Sequence, residues 1–248
     1  MIYLTGDCHG DYRRFSETNF PHQKEMTKDD YVIVCGDFGL WEDSPQENQV
    51  MDALDALPFT TLWVDGNHEN YDLISTFPVE EWHGGKVHFI RPSVIHLMRG
   101  QIFEIDGRSF FAFGGANSHD IDGGVLDPTA DDFKDQVEAA SKTGLPFRVD
   151  HLSWWKEEMP SDDEMKEGLE NLAKHGNRVD FIVTHDCPSS VKTAFSEGTI
   201  KPDKLNDYFE LVKTTVDYGM WFFGHYHHTG YADEKDLMLY EGIAKITE

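Results

Sequence analysis

No apolar run reaches the ~18 residues that a membrane-crossing helix needs, so the sequence indicates none and no membrane partner is expected. The opening stretch from Met1 to Tyr12 lacks the basic and long apolar regions of a secretory signal, and reads instead as a first β-strand. Cysteine is scarce: Cys8, Cys35 and Cys187 are an odd set that fits no disulfide framework. They suggest a reducing compartment, with the cytoplasm as the expected location. Internal repeats, low-complexity tracts and Pro/Gly/Ser-rich linkers are absent, so residues 1–248 are expected to form a single domain. Basic residues are in short supply, 21 Lys and Arg against 46 Asp and Glu, which leaves a net charge of −25. Such a surface repels phosphate backbones, and broad nucleic-acid binding through a basic face is not expected. Two divalent cations would offset only a small part of that charge, so the excess reads as a solubilising surface.

What is present is a series of short runs, rich in β-branched and aromatic residues, that end abruptly in polar clusters. Met1–Thr5 runs into Gly6-Asp7-Cys8-His9-Gly10, and Tyr31–Cys35 into Gly36-Asp37. Thr60–Val64 runs into Asp65-Gly66-Asn67-His68-Glu69, Asp180–Thr184 into His185-Asp186, and Met220–Phe223 into Gly224-His225-Tyr226-His227-His228. Runs of this length and composition are buried-strand candidates. Pro45–Leu57, Ser161–His175 and Pro202–Val216 have helical spacing, with Ser161 as an N-cap and Glu164 at the third helical position. Alternating strands and helices predict an α/β fold, and in open α/β sheets ligands sit at the carboxyl ends of strands. All five polar clusters fall there. Val87–Ile90, Val94–Met98, Gln101–Ile105 and Ser109–Phe113 read as an antiparallel stretch, and Gly114–Pro160 as an irregular loop or insertion.

The strand-end residues Asp7, His9, Asp37, Asn67, His68, His185, His225 and His227 offer imidazole, carboxylate and amide groups with no cysteine among them. That mix suits Mn, Fe, Zn or similar ions. Asp7 and His9, two apart, would point to the same side of an extended segment, as would His225 and His227. A two-metal site, with its ions roughly 3.5–4 Å apart, could be furnished by this set.

The order Gly6-Asp7-Cys8-His9-Gly10, Gly36-Asp37, Gly66-Asn67-His68-Glu69, His185 and Gly224-His225-Tyr226-His227 resembles the signature of calcineurin-like metallophosphoesterases. The Gly114–Asp120 segment is similar to one in a bacterial and phage subgroup. The resemblance implies a four-layer α-β-β-α sandwich of two mixed sheets. It implies two divalent transition-metal ions, Mn first, with Fe, Zn, Ni or Mg as alternatives. Asp7, His9, Asp37 and His227 would hold one ion; Asp37, Asn67, His185 and His225 would hold the other, with Asp37 shared. His68 would protonate the leaving group while a metal-bridging hydroxide attacks a phosphomonoester or phosphodiester. A serine/threonine protein phosphatase and a dinucleoside polyphosphate hydrolase are alternatives. Those groups carry Asp-Arg-Gly after the second motif, whereas here Gly36-Asp37 continues Phe38-Gly39-Leu40. A non-catalytic metal-binding scaffold is a further alternative.

Other residues carry weaker expectations. Asn117 and His119, in the loop after Ser109–Phe113, are candidates for substrate contact. Trp41, Trp154, Trp155, Arg91 and Arg99 are candidates for stacking on or pairing with substrate, each more ordinarily a packing or surface residue. The cysteines read as small apolar packing at buried strand ends.

Overall fold

A computed structural model describes residues 1–246. Seven strands form one mixed sheet: β1 (Ile2–Thr5), β2 (Tyr31–Cys35), β3 (Thr60–Val64), β4 (Val79–Trp82), β5 (Gly85–Arg91), β6 (Val94–Leu97) and the late β15 (Ala244–Lys245). Six form a second: β7 (Gln101–Ile105), β8 (Arg108–Phe113), β11 (Arg178–Thr184), β12 (Asp217–Phe223), β13 (Gly230–Tyr231) and β14 (Asp236–Met238). β9 (Val125–Leu126) and β10 (Arg148–Val149) make a small parallel ribbon apart from both.

The strand sequences explain the layering. Ile33 and Cys35 of β2 and Leu62 and Val64 of β3 face the second sheet, where they meet Phe110, Ala112, Phe181, Val183 and Phe222. Their neighbours Val32, Val34 and Trp63 point the other way, onto Met51 and Leu54 of α1 (Pro45–Asp55). On the far side, Phe111, Phe113, Ile182 and Trp221 pack on α4 (Asp162–Lys174) and α6 (Lys204–Thr215) through Leu172, Leu205, Phe209 and Val212. Strands covered on both faces have no reason to alternate apolar with polar, which is why they read as continuous apolar runs. The result is the four-layer α-β-β-α sandwich of two mixed sheets. No helix among the described residues is long and apolar enough to cross a membrane.

Helix starts follow local chemistry. The Ser161 hydroxyl accepts from the Glu164 N–H at 3.2 Å while Glu164 reaches back to the Ser161 N–H at 2.8 Å, so α4 opens on a capping box. Asp203 and Asn206 do the same for α6.

Two expectations need correction. The stretch from Val87 to Phe113 is not one antiparallel unit. β5 and β6 pair antiparallel in the first sheet, β7 and β8 in the second, and the chain changes sheets between Leu97 and Gln101. Each hairpin then joins a parallel neighbour, β6 on β3 and β8 on β11. Nor is 114–160 without regular structure. It contains α3 (Phe133–Thr143), closed by Gly144 in the left-handed conformation, as well as β9 and β10. The short helices α2 (Tyr71–Ile74) and α5 (Ser189–Phe195) complete the chain.

Candidate metal centre

The turn after β1 is docked onto the loop after β2: the N–H groups of Cys8 and His9 both donate to the Asp37 carbonyl, at 2.9 and 2.7 Å. Arg14 closes the turn from behind by donating to the carbonyls of Gly6, Asp7 and Tyr240, at 3.0, 2.6 and 2.8 Å. Glu69 holds the loop after β2, accepting from the N–H groups of Phe38, Gly39 and Leu40 at 2.5, 3.2 and 3.3 Å. The backbone here is not extended. His9, Asp37, His225 and His227 have φ of 47°, 46°, 70° and 50°. Asp7 and His9 therefore do not converge by strand alternation; β1 has ended at Thr5, and a left-handed turn brings the imidazole round. The motif glycines make room for these side chains. A Cβ on Gly36 would lie 2.1 Å from Nδ1 of His185, and one on Gly66 would lie 2.1 Å from Oδ1 of Asp37.

The expected ligands gather where these loops meet. Asp37 Oδ2 lies 3.5 Å from Nε2 of His9 and 3.4 Å from Nε2 of His185. Asp7 Oδ2 lies 3.1 Å from Nε2 of His227 and 3.8 Å from that of His9. Asn67 turns Oδ1 toward Nε2 of His185, at 3.2 Å. His185 donates from Nδ1 to the Cys35 carbonyl at 2.8 Å, which leaves Nε2 free to ligate. Among the described residues, two clusters have ligand atoms mutually within 4.8 Å: Asp7 with His9 and His227, and Asp7 with Asp37 and His185. Asp7 is common to both, while Asp37 Oδ2 is nearly equidistant from one imidazole of each expected set. His225 belongs to neither cluster, but its ring centre is 5.0 Å from that of His185 and its N–H donates to Asp7 Oδ1 at 2.9 Å.

These groups fit divalent cations. Asp7 Oδ2 is buried without a hydrogen-bond partner, its short approach to His227 lacking hydrogen-bond geometry. Nε2 of His9 and Nε2 of His227 face each other at 3.1 Å. Burial opposes charge on His185, but the neighbouring carboxylates of Asp37 and Asp7 outweigh it and push its pKa up to about 10, so the pocket favours positive charge. Burial instead pulls His225 down to about 4, keeping it a neutral donor. Carboxylate oxygen and neutral imidazole are the donor types of first-row divalent ions.

His68 stands at one side of this cluster. Its N–H donates to Asp37 Oδ1 at 2.8 Å, and its ring centre is 5.3 Å from that of His9. Nδ1 lies 3.4 Å from an Arg148 nitrogen. A cavity of about 240 Å³ opens there, lined by His9, His68, Trp41, Arg148, Leu152 and Trp155 among others. Of the aromatic and arginine candidates, Trp41 and Trp155 border this cavity. Arg91 is tied instead to Asp52 and Asn48, and Arg99 is buried against Asp65.

The 114–160 segment reaches the site with residues that sequence reasoning did not single out. Asn117 is exposed, and His119 is exposed with its ring 5.4 Å from that of His225. Between them, buried Ser118 accepts from the Asn67 amide at 3.3 Å and donates to Glu158 at 2.6 Å. This chain turns the Asn67 oxygen toward His185. Arg148 likewise carries no motif. The three cysteines are free and buried, and burial pushes the Cys8 thiol up to about 12, as packing residues require.

Comparison with known proteins finds relatives of the sequence. Lariat debranching enzyme A of Xenopus laevis is 25% identical over 115 residues, a match that covers 40% of this chain and spans 22% of that enzyme's length. A phosphopantetheinyl hydrolase structure from Mycobacterium tuberculosis aligns over 97% of this chain and 89% of its own, with 17% identity and a TM-score of 0.40. The family model described as calcineurin-like phosphoesterase matches residues 1–229, which contain all five strand-end clusters, and the chain accordingly belongs to that family of metal-dependent phosphoester hydrolases.

Proposed function

We propose that the protein is a single catalytic domain that hydrolyses a phosphomonoester or phosphodiester with two divalent ions, Mn the first choice. Asp7, His9, Asp37 and His227 would hold one; Asp37, Asn67, His185 and His225 the other. The observation that carries this reading is the buried Asp37 carboxylate, whose Oδ2 is 3.5 Å from His9 and 3.4 Å from His185. Bound there, such ions would polarise phosphate oxygens and acidify water. The chain's own residues supply the rest. The His185–Cys35 hydrogen bond fixes a tautomer, and the Ser118–Glu158 pair orients Asn67. Nδ1 of His68 lies 3.4 Å from an Arg148 nitrogen, and His68 would act in its imidazolium form, giving a ring proton to the leaving oxygen. The debranching relative is named for acting on lariats, but a net charge of −25 favours a small ester over a polyanion here. The test is elemental analysis of chelator-free protein alongside hydrolysis of p-nitrophenyl phosphate and its bis-ester. About two ions per chain and activity on one ester are expected. One ion per chain despite added Mn, or inactivity on both esters, would overturn the reading.

A further inference from the structure

Two divalent ions would offset the buried carboxylates of the proposed centre, but the cavity beside it offers an incoming phosphate little positive charge of its own. The cavity beside His68 is bordered by Glu42, with Asp120 close by and two buried carboxylates behind. Among the described residues lining that cavity, Arg148 carries the only fixed positive charge. Its placement is rigid at the backbone: β10 pairs with β9, and the Arg148 N–H donates to the Gly124 carbonyl at 3.1 Å. The guanidinium forks onto Asp120, Nε to Oδ1 at 3.1 Å and an Nη to Oδ2. A two-point grip on a carboxylate is also the grip a guanidinium makes on phosphate. The same nitrogen lies 3.4 Å from His68, so an anion held by Arg148 sits beside that imidazole.

The walls beyond Arg148 are apolar and fixed. The Trp41 indole N–H donates to the His68 carbonyl at 2.7 Å, and that of Trp155 to Asp72 at 2.8 Å, so both rings are held in orientation. Leu152 stands exposed at the rim. Glu42 disfavours a second negative charge on the organic portion of a substrate.

We propose that Arg148 binds the substrate phosphate, exchanging Asp120 for a phosphate oxygen on one arm of its fork, and that the cleft between Trp41 and Trp155 receives a flat, uncharged organic group. This rests on the phosphoesterase reading and names the substrate class for that same site. An arginine fixed on the β9–β10 ribbon thus makes the 114–160 segment part of the binding site.

The test uses binding without turnover, so its failure is distinct from a failure of the hydrolase reading. Metal-loaded protein is titrated calorimetrically with methylphosphonate and phenylphosphonate, which have no ester to cleave. Wild type should bind the phenyl compound more tightly. Arg148→Ala should weaken both ligands by about tenfold or more at unchanged metal content, the loss expected for a charge-assisted contact. Arg148→Lys, which keeps the charge and serves if the alanine variant fails to fold, should still weaken both by about fivefold, because an ammonium cannot grip in two places. Asp120→Asn should bind no worse than wild type. Trp41→Ala should erase the phenyl preference and leave methylphosphonate binding unchanged. Equal weakening in Asp120→Asn and Arg148→Ala would make the pair a structural latch and overturn the proposal. Binding in Arg148→Ala within about twofold of wild type would overturn it too.

Discussion

His68 directly follows the proposed ligand Asn67, but its side chain keeps different contacts. Its ring lies against His9 and Arg148, whereas the neighbouring Asn67 faces His185. His68→Ala should keep its metal and lower turnover by about 10²–10⁴-fold on alkyl esters, which leave as alkoxides and need a proton. The loss should shrink on p-nitrophenyl phosphate. Metal loss, or one uniform rate loss across leaving groups, would remove the acid role. At this scale the motif residues were legible because their chemistry is unusual at strand ends. Ser118, Glu158 and Arg148 were not. A buried serine between two polar neighbours looks like any turn residue, and Arg148 reaches the site only because a small ribbon carries it there.

Among the elements, the β5–β6 hairpin holds a cross-strand pair of histidines. His88 lies opposite His96, their Nδ1 atoms 3.1 Å apart, and His96 contacts buried Asp65 at 3.1 Å. Burial, with His96 as a second cause, lowers the His88 pKa to about 4. The unfolded value is about 6.5, so neutral His88 contributes fully above that pH and its contribution is lost as pH falls toward 4, by about 3 kcal/mol in all. His88→Gln should flatten the acid side of the stability curve in that window. An unchanged midpoint between pH 6.5 and 4 would reject this. The elements themselves were legible where an apolar run or a cap announces them, as at β2, β3 and α4. The division of the hairpins between two sheets was not, because the pairing of β6 with β3 and of β8 with β11 is made by residues far apart in sequence. The C-terminal strands β14 and β15 are too short to signal themselves, and α3 is hidden among glycines and prolines.

At the scale of the whole molecule, the five loops converge because parallel strands in both sheets end at one rim. Ions bound there belong to the folded state alone, since Asp7 and His227 are 220 residues apart in sequence. Metal at about a hundred times its dissociation constant should add about 2.7 kcal/mol per site. Chelation of both ions should therefore lower the melting temperature by about 10–20 °C. A melting curve insensitive to chelator, with metal verified as removed, would contradict a buried centre. The net charge of −25 was legible from composition, yet composition could not reveal that two of those carboxylates, Asp7 and Asp37, lie buried together.

The left-handed backbone at His9, Asp37, His225 and His227 limits which substitutions can be interpreted at all. Among non-glycine residues, Asn, Asp and His adopt that conformation most readily, while β-branched side chains are strained in it. The site is thus written in the few residue types that satisfy two demands at once, a ligand atom and a tolerated φ. Exchange of Asp37 for asparagine removes charge and spares the backbone; exchange for valine or threonine would alter both, and its loss of function would say nothing about metal. The same double demand makes the positions of these four residues poor targets for library mutagenesis, and it makes Asp37→Asn, compared with Asn67→Ala under saturating metal, the clean measure of what one carboxylate does.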